Sequence, residues 1–392
     1  MTSAPTGERS LAIRLAALSV GQVVSWGILY YALIVAAPVI AGDTGWSLPS
    51  ITLAFSAGLV VSAASGIVVG RRLDARGPRL MMSAGAVIGA LGLAVVASAP
   101  DLTVFTLGWV VCGFGQSAVL YQAAFTVITR RHGDRRRRAM TIVTLAGGLA
   151  STVFAPIVAG LLTVLDWRTT FLVLAGTLLV LTLPLHWFFL ERSWEPLPPP
   201  HADEHVQGVA GVVRTARFWL LELSMLSLTV ALFSVTLAVI PLYMEKGLTY
   251  ELAAWSLGLL GAGQVIGRLA YVGMPHGSAP WMPLATTSGS AVVLLGLIAL
   301  VPGPPWLLIA IGMAAGAVRG AQTLVQGSAV ADRWGTRNYG SINGVFAAPI
   351  TAVGALGPSL GPLVATAVGG YEAMALVMAG VAVVAFVSAR AS

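Results

Sequence analysis

Long apolar runs separated by short polar segments dominate this chain. Twelve runs approach the roughly 20 residues that a helix needs to cross the hydrocarbon core of a bilayer. The short alternating segments of a transmembrane barrel do not occur, so helices are the predicted spanning elements. The predicted spans 1 to 12 cover about 14–40, 50–70, 80–99, 102–128, 139–165, 169–190, 217–243, 250–273, 281–301, 306–331, 339–367 and 372–389.

One longer polar stretch interrupts this pattern near the middle of the chain. It covers about 191–216 and contains a proline-rich run after Glu195. Such a composition predicts a stiff linker. The predicted domains are therefore an N-terminal bundle of six helices over 1–190 and a C-terminal bundle of six helices over 217–392.

The two halves also repeat each other. Gly70-Arg71 ends span 2, and Gly267-Arg268 ends span 8. A duplication of this kind is typical of membrane transporters. The predicted fold class is an all-α membrane protein with twelve transmembrane helices in two pseudo-symmetric six-helix bundles.

Composition and charge support a membrane location. The chain is 57% hydrophobic and 9% charged, whereas a soluble domain carries about 25% charged residues. Of the 22 basic residues, 18 fall on one predicted side of the membrane, and the other side holds only Arg168 and Lys246. This asymmetry predicts a protein of the cell membrane with both termini cytoplasmic. The net charge of +7 therefore reflects topology, and no nucleic-acid partner is predicted.

The segment between spans 2 and 3 carries a recognisable motif. It reads Gly70-Arg-Arg-Leu-Asp74-Ala-Arg76-Gly77-Pro-Arg79 and resembles the loop signature of the major facilitator superfamily. The resemblance implies secondary transport by alternating access between two halves. It also implies that Gly70, Asp74, Arg76, Gly77 and Arg79 hold the cytoplasmic ends of helices together as a gate.

Further segments resemble the monocarboxylate and oxalate/formate carriers of that superfamily. They are Gly45-Trp46-Ser47, Ala54-Phe55-Ser56, Asp166-Trp167-Arg168 and Gly340-Ser341-Ile342-Asn343-Gly344. This resemblance implies a small organic anion as substrate. Span 8 of monocarboxylate carriers pairs an aspartate with an arginine four residues later, and the matching positions here are Gln264 and Arg268.

Arg319 is the charge that lies deepest in a predicted span. It is 13 residues from both Trp306 and Asp332, or about 20 Å from either end of a helix. A charge at that depth is costly unless it faces a cavity or a partner. Gln322 and Gln326 lie near the same helix face. The arrangement predicts an anion-binding arginine with amide neighbours, or alternatively a structural arginine bonded to backbone carbonyls.

Two further charged residues lie inside spans 7 and 8. Arg268 is a substrate arginine by family resemblance, or a membrane-edge residue by its match to Arg71, and Gln264 lies one turn deeper. Glu222 lies at a similar depth to Arg268, so the two are candidates for an ion pair. We interpret Glu222 as a candidate proton-coupling residue, or alternatively as an interfacial acid or a static ion-pair partner.

Uncharged polar and aromatic side chains are additional candidates for lining a cavity. They are Gln22, Trp26, Tyr30 and Tyr31 in span 1, and Gln116 and Tyr121 in span 4. The first three are spaced by four residues and form one stripe. The alternative is helix packing with an interfacial aromatic anchor.

Nothing in the sequence indicates cofactor chemistry. No cluster has zinc-ligand spacing, and no phosphate-binding glycine loop occurs. We therefore predict neither an enzyme nor an ATP-driven pump, but a monomeric secondary transporter. Its partners are the bilayer and a small-molecule substrate, with the proton as candidate coupling ion. The alternatives are a proton-linked exporter of drugs or other hydrophobic compounds, and a membrane sensor that transports nothing.

Overall fold

The computed structural model of the chain describes residues 6–192, 194, 208–273 and 279–392. Helices joined by short loops make up this described part, without strands. Twelve helices are long and apolar enough to cross a membrane, which confirms the predicted fold class. The predicted linker at 191–216 lies mostly outside the described residues, so its stiffness stays a prediction.

We number these helices α1 to α12 in chain order. The first six are α1 (Ser10–Thr44), α2 (Leu48–Arg76), α3 (Pro78–Ser98), α4 (Leu102–Arg131), α5 (Gly133–Val164) and α6 (Trp167–Phe189). The others are α7 (Ala216–Leu237), α8 (Tyr250–Val272), α9 (Met282–Leu300), α10 (Pro305–Trp334), α11 (Tyr339–Val368) and α12 (Tyr371–Arg390). Several helices extend a few residues beyond the predicted spans, because their ends include polar residues.

Polar side chains in the loops fix where some helices begin. Asp101 accepts a hydrogen bond from the backbone N–H of Val104 at 2.9 Å, at the start of α4. Asp166 does the same for Thr169 at the start of α6, also at 2.9 Å. Such caps satisfy N–H groups that have no partner within the helix. Bonds from the side chain and backbone of Thr169 also hold the pKa of Asp166 below its usual value.

Four of the first six helices are interrupted. Two contain a π-helical turn, at Gly27–Tyr31 in α1 and at Leu178–Thr182 in α6. In α4 the α-helical segments are separated at Leu120, which has an extended backbone, and in α5 they are separated at Leu149. Such interruptions leave main-chain carbonyls without their usual helical partners. By contrast, α8, α9 and α10 are each continuous α-helices.

The contacts divide the chain into two compact units. Unit 1 comprises Met1–Val206 and Gly335–Thr351, and unit 2 comprises Gln207–Trp334 and Ala352–Ser392. The helix α11 therefore begins in unit 1 and ends in unit 2. The predicted boundaries of the two six-helix bundles stay a prediction.

Glycines allow close helix contacts within each unit. In unit 1, a methyl group on Gly113 of α4 would overlap the carbonyl oxygen of Gly58 in α2. In unit 2, a methyl group on Gly267 of α8 would likewise overlap the carbonyl oxygen of Ala317 in α10. Small residues permit such backbone contact, on which helix association inside a membrane depends.

The two basic residues predicted on the sparsely charged side both contact the ends of helices. In unit 1, Arg168 Nη1 donates to the carbonyl oxygens of Ala97 and Ala99, at 3.1 and 2.6 Å, where α3 ends. In unit 2, Lys246 Nζ donates to the carbonyl oxygen of Ala299 in α9 at 3.0 Å. A cation at a helix C-terminus satisfies free carbonyls and the helix dipole.

Candidate functional site

Arg319 lies midway along α10, and its side chain is half-buried. Its Nη1 donates a hydrogen bond to Oγ1 of Thr236 in α7 at 2.9 Å. Its Cζ lies 4.1 Å from the centre of the Phe233 ring, also in α7. The face of an aromatic ring stabilises a cation at this distance. A hydroxyl and a ring of α7 thus contact the charge of Arg319 within unit 2.

The side-chain amide of Gln322, three residues after Arg319 in the sequence, also bonds to α7. Gln322 is buried, and its Nε2 donates to Oγ1 of Thr229 at 2.7 Å. Its Oε1 is buried without a hydrogen-bond partner among the described residues. Gln326 lies one turn further along α10 and is half-buried. The face of α10 that carries Arg319 and Gln322 is therefore the face that packs on α7.

Glu222 is a buried carboxyl group of α7. Its side chain is 2% exposed, and neither carboxylate oxygen has a hydrogen-bond partner within the described part of the chain. The two bonds between α7 and α10 show that these helices run antiparallel. Burying a charged carboxylate without a partner is very unfavourable, so this environment favours the protonated acid.

The candidate ion pair between Glu222 and Arg268 is not formed, because neither carboxylate oxygen of Glu222 has a partner among the described residues. Arg268 is buried in α8, and its Nε has no hydrogen-bond partner among the residues described. A shared depth in the sequence does not determine the side of the helix to which each residue points, so depth alone made the pair possible without ensuring it. Gln264, one turn away, is half-buried, and its carbonyl oxygen lies against Gly320 of α10.

In unit 1, the two candidate glutamines bond to main-chain carbonyls. Gln22 of α1 donates from Nε2 to the carbonyl oxygen of Val119 at 2.6 Å, next to the interruption of α4 at Leu120. Gln116 of α4 donates to the carbonyl oxygen of Leu29 at 2.8 Å, within the π-helical turn of α1. Each helix thus supplies an amide donor at the interruption of the other. Both glutamines are fully buried, and this geometry favours a structural role.

The aromatic candidates of unit 1 form one cluster. The ring centre of Trp26 lies 5.2 Å from that of Tyr30 and 4.9 Å from that of Tyr121. Tyr30 lies 5.2 Å from Tyr31. Trp26, Tyr30, Tyr31 and Tyr121 are all half-buried. The predicted stripe of α1 therefore extends to α4 and presents partly exposed rings.

Asp74 contacts the start of α11 within unit 1. Its carboxylate accepts hydrogen bonds from the backbone N–H groups of Gly340 and Ser341, at 3.0 and 2.7 Å, and from the Ser341 hydroxyl at 2.8 Å. These N–H groups belong to the first turn of a helix, where no intrahelical acceptor is available. A carboxylate there also interacts favourably with the helix dipole. Asp74 thus caps a helix that lies far away in the sequence.

Two pairs of glycines bring α2 and α11 together beside this cap. A methyl group on Gly70 would overlap the carbonyl oxygen of Gly340. One turn away, a methyl group on Gly344 would lie 3.0 Å from the carbonyl oxygen of Gly66. Both helices therefore carry a glycine pair with a spacing of four residues, which allows close crossing. The carboxylate of Asp74 reaches α11 because the two backbones approach so closely.

The other residues of the motif occupy different surroundings. Gly77 has φ of 78°, which ends α2 with a left-handed residue that favours glycine. Arg79 stacks on Trp187 with Cζ 4.1 Å from the ring centre. Arg76 is exposed in the last turn of α2. The contact with α11 thus involves Gly70 and Asp74.

Sequence reasoning missed the α7 residues that hold Arg319 and Gln322. Thr229, Phe233 and Thr236 follow one another by four and three residues, so they share one face of α7. That spacing within an apolar run was the available signal. Among the described residues, no group of three histidine, cysteine or acidic side chains could hold a metal ion.

Twelve helices that are long and apolar enough to cross a membrane, with polar side chains buried midway along some of them, are typical of a polytopic membrane transporter. The family model of the Major Facilitator Superfamily matches residues 18–276. The chain belongs to this superfamily. It is therefore a transporter and not an enzyme, as the sequence predicted, and the alternative of a membrane sensor is set aside.

Two curated relatives are similar to parts of the chain. An uncharacterized 38 kDa protein in the 23S RNA operon of Thermoproteus tenax is 27% identical over 288 residues, which cover 72% of this chain and 70% of the relative. The multidrug resistance protein MdtL of Klebsiella pneumoniae is 26% identical over 230 residues, which cover 58% of this chain. That match spans only 57% of the length of MdtL.

Solved structures share the fold at low sequence identity. The transporter FucP in its outward conformation matches with a TM-score of 0.72 and 16% identity, over 97% of this chain and 99% of FucP. The human organic anion transporter MFSD10 matches with a TM-score of 0.62 and 16% identity, over 98% of this chain and 100% of that one. These matches confirm the major facilitator fold.

Proposed function

We propose that this protein is a secondary active transporter that moves a small organic anion by alternating access. The observation that carries the proposal is Arg319, a guanidinium group held midway along α10 by Thr236 and Phe233. Arginine stays charged in proteins and presents donors in a planar fork that fits a carboxylate. The resemblance to monocarboxylate carriers supports the same substrate class.

The groups around Arg319 suit a site that must bind and release its substrate. Threonine hydroxyls can rotate and accept other bonds, so Thr236 and Thr229 can exchange their contacts with Arg319 and Gln322 at low cost. The Oε1 of Gln322 is buried without a partner, and it can accept a bond from a substrate hydroxyl. Gln326, Gln264 and Arg268 extend the set of polar candidates in unit 2.

Glu222 is the proposed proton-coupling residue. Its buried carboxyl group has no hydrogen-bond partner in the described structure, so it is stable there as the neutral acid. Exposure to water during the transport cycle would allow it to lose the proton, which links transport to the proton gradient. In Glu222→Gln protein, uptake should no longer respond to an imposed pH gradient. Uptake that responds as in the unmodified protein would refute this role.

A second candidate function is proton-linked export of hydrophobic compounds. Two observations favour it, namely the half-buried rings of Trp26, Tyr30, Tyr31 and Tyr121 and the similarity to the multidrug resistance protein MdtL. Partly exposed aromatic rings bind apolar and cationic molecules through packing and cation–π contacts. In this alternative the substrate contacts the aromatic cluster, and Glu222 carries the proton.

Reconstitution into proteoliposomes separates the two candidates. Purified protein would be tested with labelled monocarboxylates and with a lipophilic cationic dye, each with and without a pH gradient. Concentrative uptake of a carboxylate that Arg319→Ala abolishes supports the anion carrier. Dye transport that survives Arg319→Ala but is lost in Tyr30→Ala supports the exporter and refutes the first proposal.

The uneven distribution of basic residues between the two predicted sides of the membrane, and the motif that contains Asp74, support a proposal for the location and topology of the protein. We propose a location in the cell membrane, both termini cytoplasmic and a functional monomer, with bundles over 1–190 and 217–392. The contact of Asp74 with α11 then lies at the cytoplasmic face, where it acts as a gate. Arg76, Gly77 and Arg79 complete the loop that holds this gate.

A further inference from the structure

Trp194 contacts the backbone of the residue that caps α11. Its Nε1 donates a hydrogen bond to the carbonyl oxygen of Asp74 at 2.9 Å. Arg130 Nη1 donates to the same oxygen at 3.1 Å. The Cζ atoms of Arg130 and Arg131 each lie 4.7 Å from the ring centre of Trp194. Trp194 thus links Asp74 to two arginines at the end of α4.

The space for this ring depends on a glycine of the motif. A methyl group on Gly77 would lie 2.7 Å from Cβ and Cγ of Trp194, which is too close for any real contact. Gly77 therefore provides room for the tryptophan in addition to its left-handed backbone. The loop between α2 and α3 and the indole ring fit together as one packed unit.

Glu191, three residues earlier, fastens the same stretch of chain. Its carboxylate forms ion pairs with Arg14 of α1 and with Arg131 of α4. Arg131 therefore contacts both Glu191 and Trp194. Together with the bond of Trp194 to Asp74, these ion pairs connect Glu191 and Trp194 to the ends of α1, α2 and α4.

We propose that Trp194 is a positioning residue for the gate, which holds the main chain of Asp74 so that its carboxylate points at the first turn of α11. The inference rests on the proposed gating role of Asp74. The carbonyl of Asp74 accepts two bonds while its carboxylate accepts three, so the residue is fixed from both ends. Loss of one support lets the carboxylate move away from Gly340 and Ser341.

Hydrogen exchange of full-length protein in lipid nanodiscs tests this directly. The measured quantity is the rate of hydrogen exchange at the backbone amides of Gly340 and Ser341. Both amides bond to Asp74, and the described bond of Trp194 goes to the carbonyl of Asp74. In Trp194→Phe a smaller aromatic ring remains and the N–H donor is lost, so exchange there should rise about two- to tenfold, the effect of one hydrogen bond. Trp194→Ala should raise it further, and Asp74→Ala should give the largest increase.

Two controls make the result specific. Trp255→Phe alters an exposed tryptophan of α8, and it should leave the exchange at Gly340 and Ser341 unchanged. The amide of Val104, capped by Asp101 in α4, should exchange equally in every variant. Unchanged exchange in both Trp194 variants, whether or not Asp74→Ala raises it, would overturn the proposal. Because the assay needs no substrate, failure to find a transported anion would leave this result intact.

Discussion

The two units use buried polar side chains in different ways. In unit 1, Gln22 and Gln116 donate to main-chain carbonyls beside interruptions of α4 and α1. In unit 2, Arg319 and Gln322 donate to threonine hydroxyls of α7, and α10 is continuous. An amide inside an apolar span is therefore not by itself evidence of substrate contact. Where a helix is interrupted, the amide can replace a missing backbone donor.

The difference has an energetic consequence. A buried carbonyl that loses its donor cannot turn towards water, and the cost is about 1–3 kcal/mol. The threonine hydroxyls of unit 2 keep a partner when their donor is lost, because Thr229 and Thr236 each donate to a carbonyl of their own helix. Substituting the unit 1 glutamines should therefore cost stability, whereas substituting the polar residues of unit 2 should cost substrate affinity.

The largest effect is expected at Arg319. Arg319→Ala removes a charged hydrogen-bond donor worth about 2–3 kcal/mol, so the efficiency of anion uptake should fall about 30- to 150-fold. Arg319→Lys keeps the charge but not the planar fork of donors. Its efficiency of anion uptake should therefore lie between those of Arg319→Ala and the unmodified protein. Initial uptake rates in proteoliposomes with equal amounts of protein measure this. Arg72→Ala, exposed at the end of α2, is the control, and an equal loss there would contradict the assignment.

A glycine substitution tests whether the contact between α8 and α10 holds the unit 2 site in place. Gly267→Ala places a methyl group against the carbonyl oxygen of Ala317, and overpacking of this kind costs about 1–3 kcal/mol. The unfolding temperature should drop, and the KM for the anion should rise because Arg268 and Arg319 are displaced. Gly258→Ala in the same helix meets nothing within 4 Å and should change neither quantity. Equal behaviour of the two variants would refute this role of the contact.

Gln116→Leu tests the structural role of the unit 1 amides. The carbonyl of Leu29 loses its donor, so the free energy of unfolding should decrease by about 1–3 kcal/mol. The KM for the anion should stay unchanged. Thermal unfolding and uptake of the same preparation give both quantities. Gln326→Leu, at a half-buried position, is the comparison for the free energy of unfolding. A raised KM at unchanged stability would show that Gln116 contacts the substrate.

The smallest effect is expected at Gln322. Gln322→Leu removes one hydrogen bond worth about 0.5–1.5 kcal/mol, so KM should rise about two- to tenfold. Stability should change less than in Gln116→Leu, because the Thr229 hydroxyl still donates to the carbonyl oxygen of Met225. Uptake measured over a range of anion concentrations separates KM from the maximal rate. A fall in the maximal rate alone would contradict a binding role.

The sequence predicted the fold because apolar runs of membrane-spanning length have a strong and local signal. It also predicted the motif that contains Asp74, whose partners in α11 lie 266 and 267 residues later. It could not predict the interruptions of α1 and α4, because residues such as Leu120 look like any other apolar residue. Without them, Gln22 and Gln116 remain candidates for lining a cavity or for helix packing. The missing ion pair of Glu222 has a related cause, since depth alone does not determine direction around a helix.

The most direct measurement is equilibrium binding of the transported anion to two purified variants, Arg319→Ala and Gln116→Leu, alongside the unmodified protein. Arg319→Ala should unfold at the temperature of the unmodified protein and bind the anion at least tenfold more weakly, because a charged hydrogen bond is lost. Gln116→Leu should unfold at a lower temperature and keep the affinity of the unmodified protein. Unaltered affinity in Arg319→Ala, or weakened affinity in Gln116→Leu, would contradict the assignment of substrate contact to unit 2.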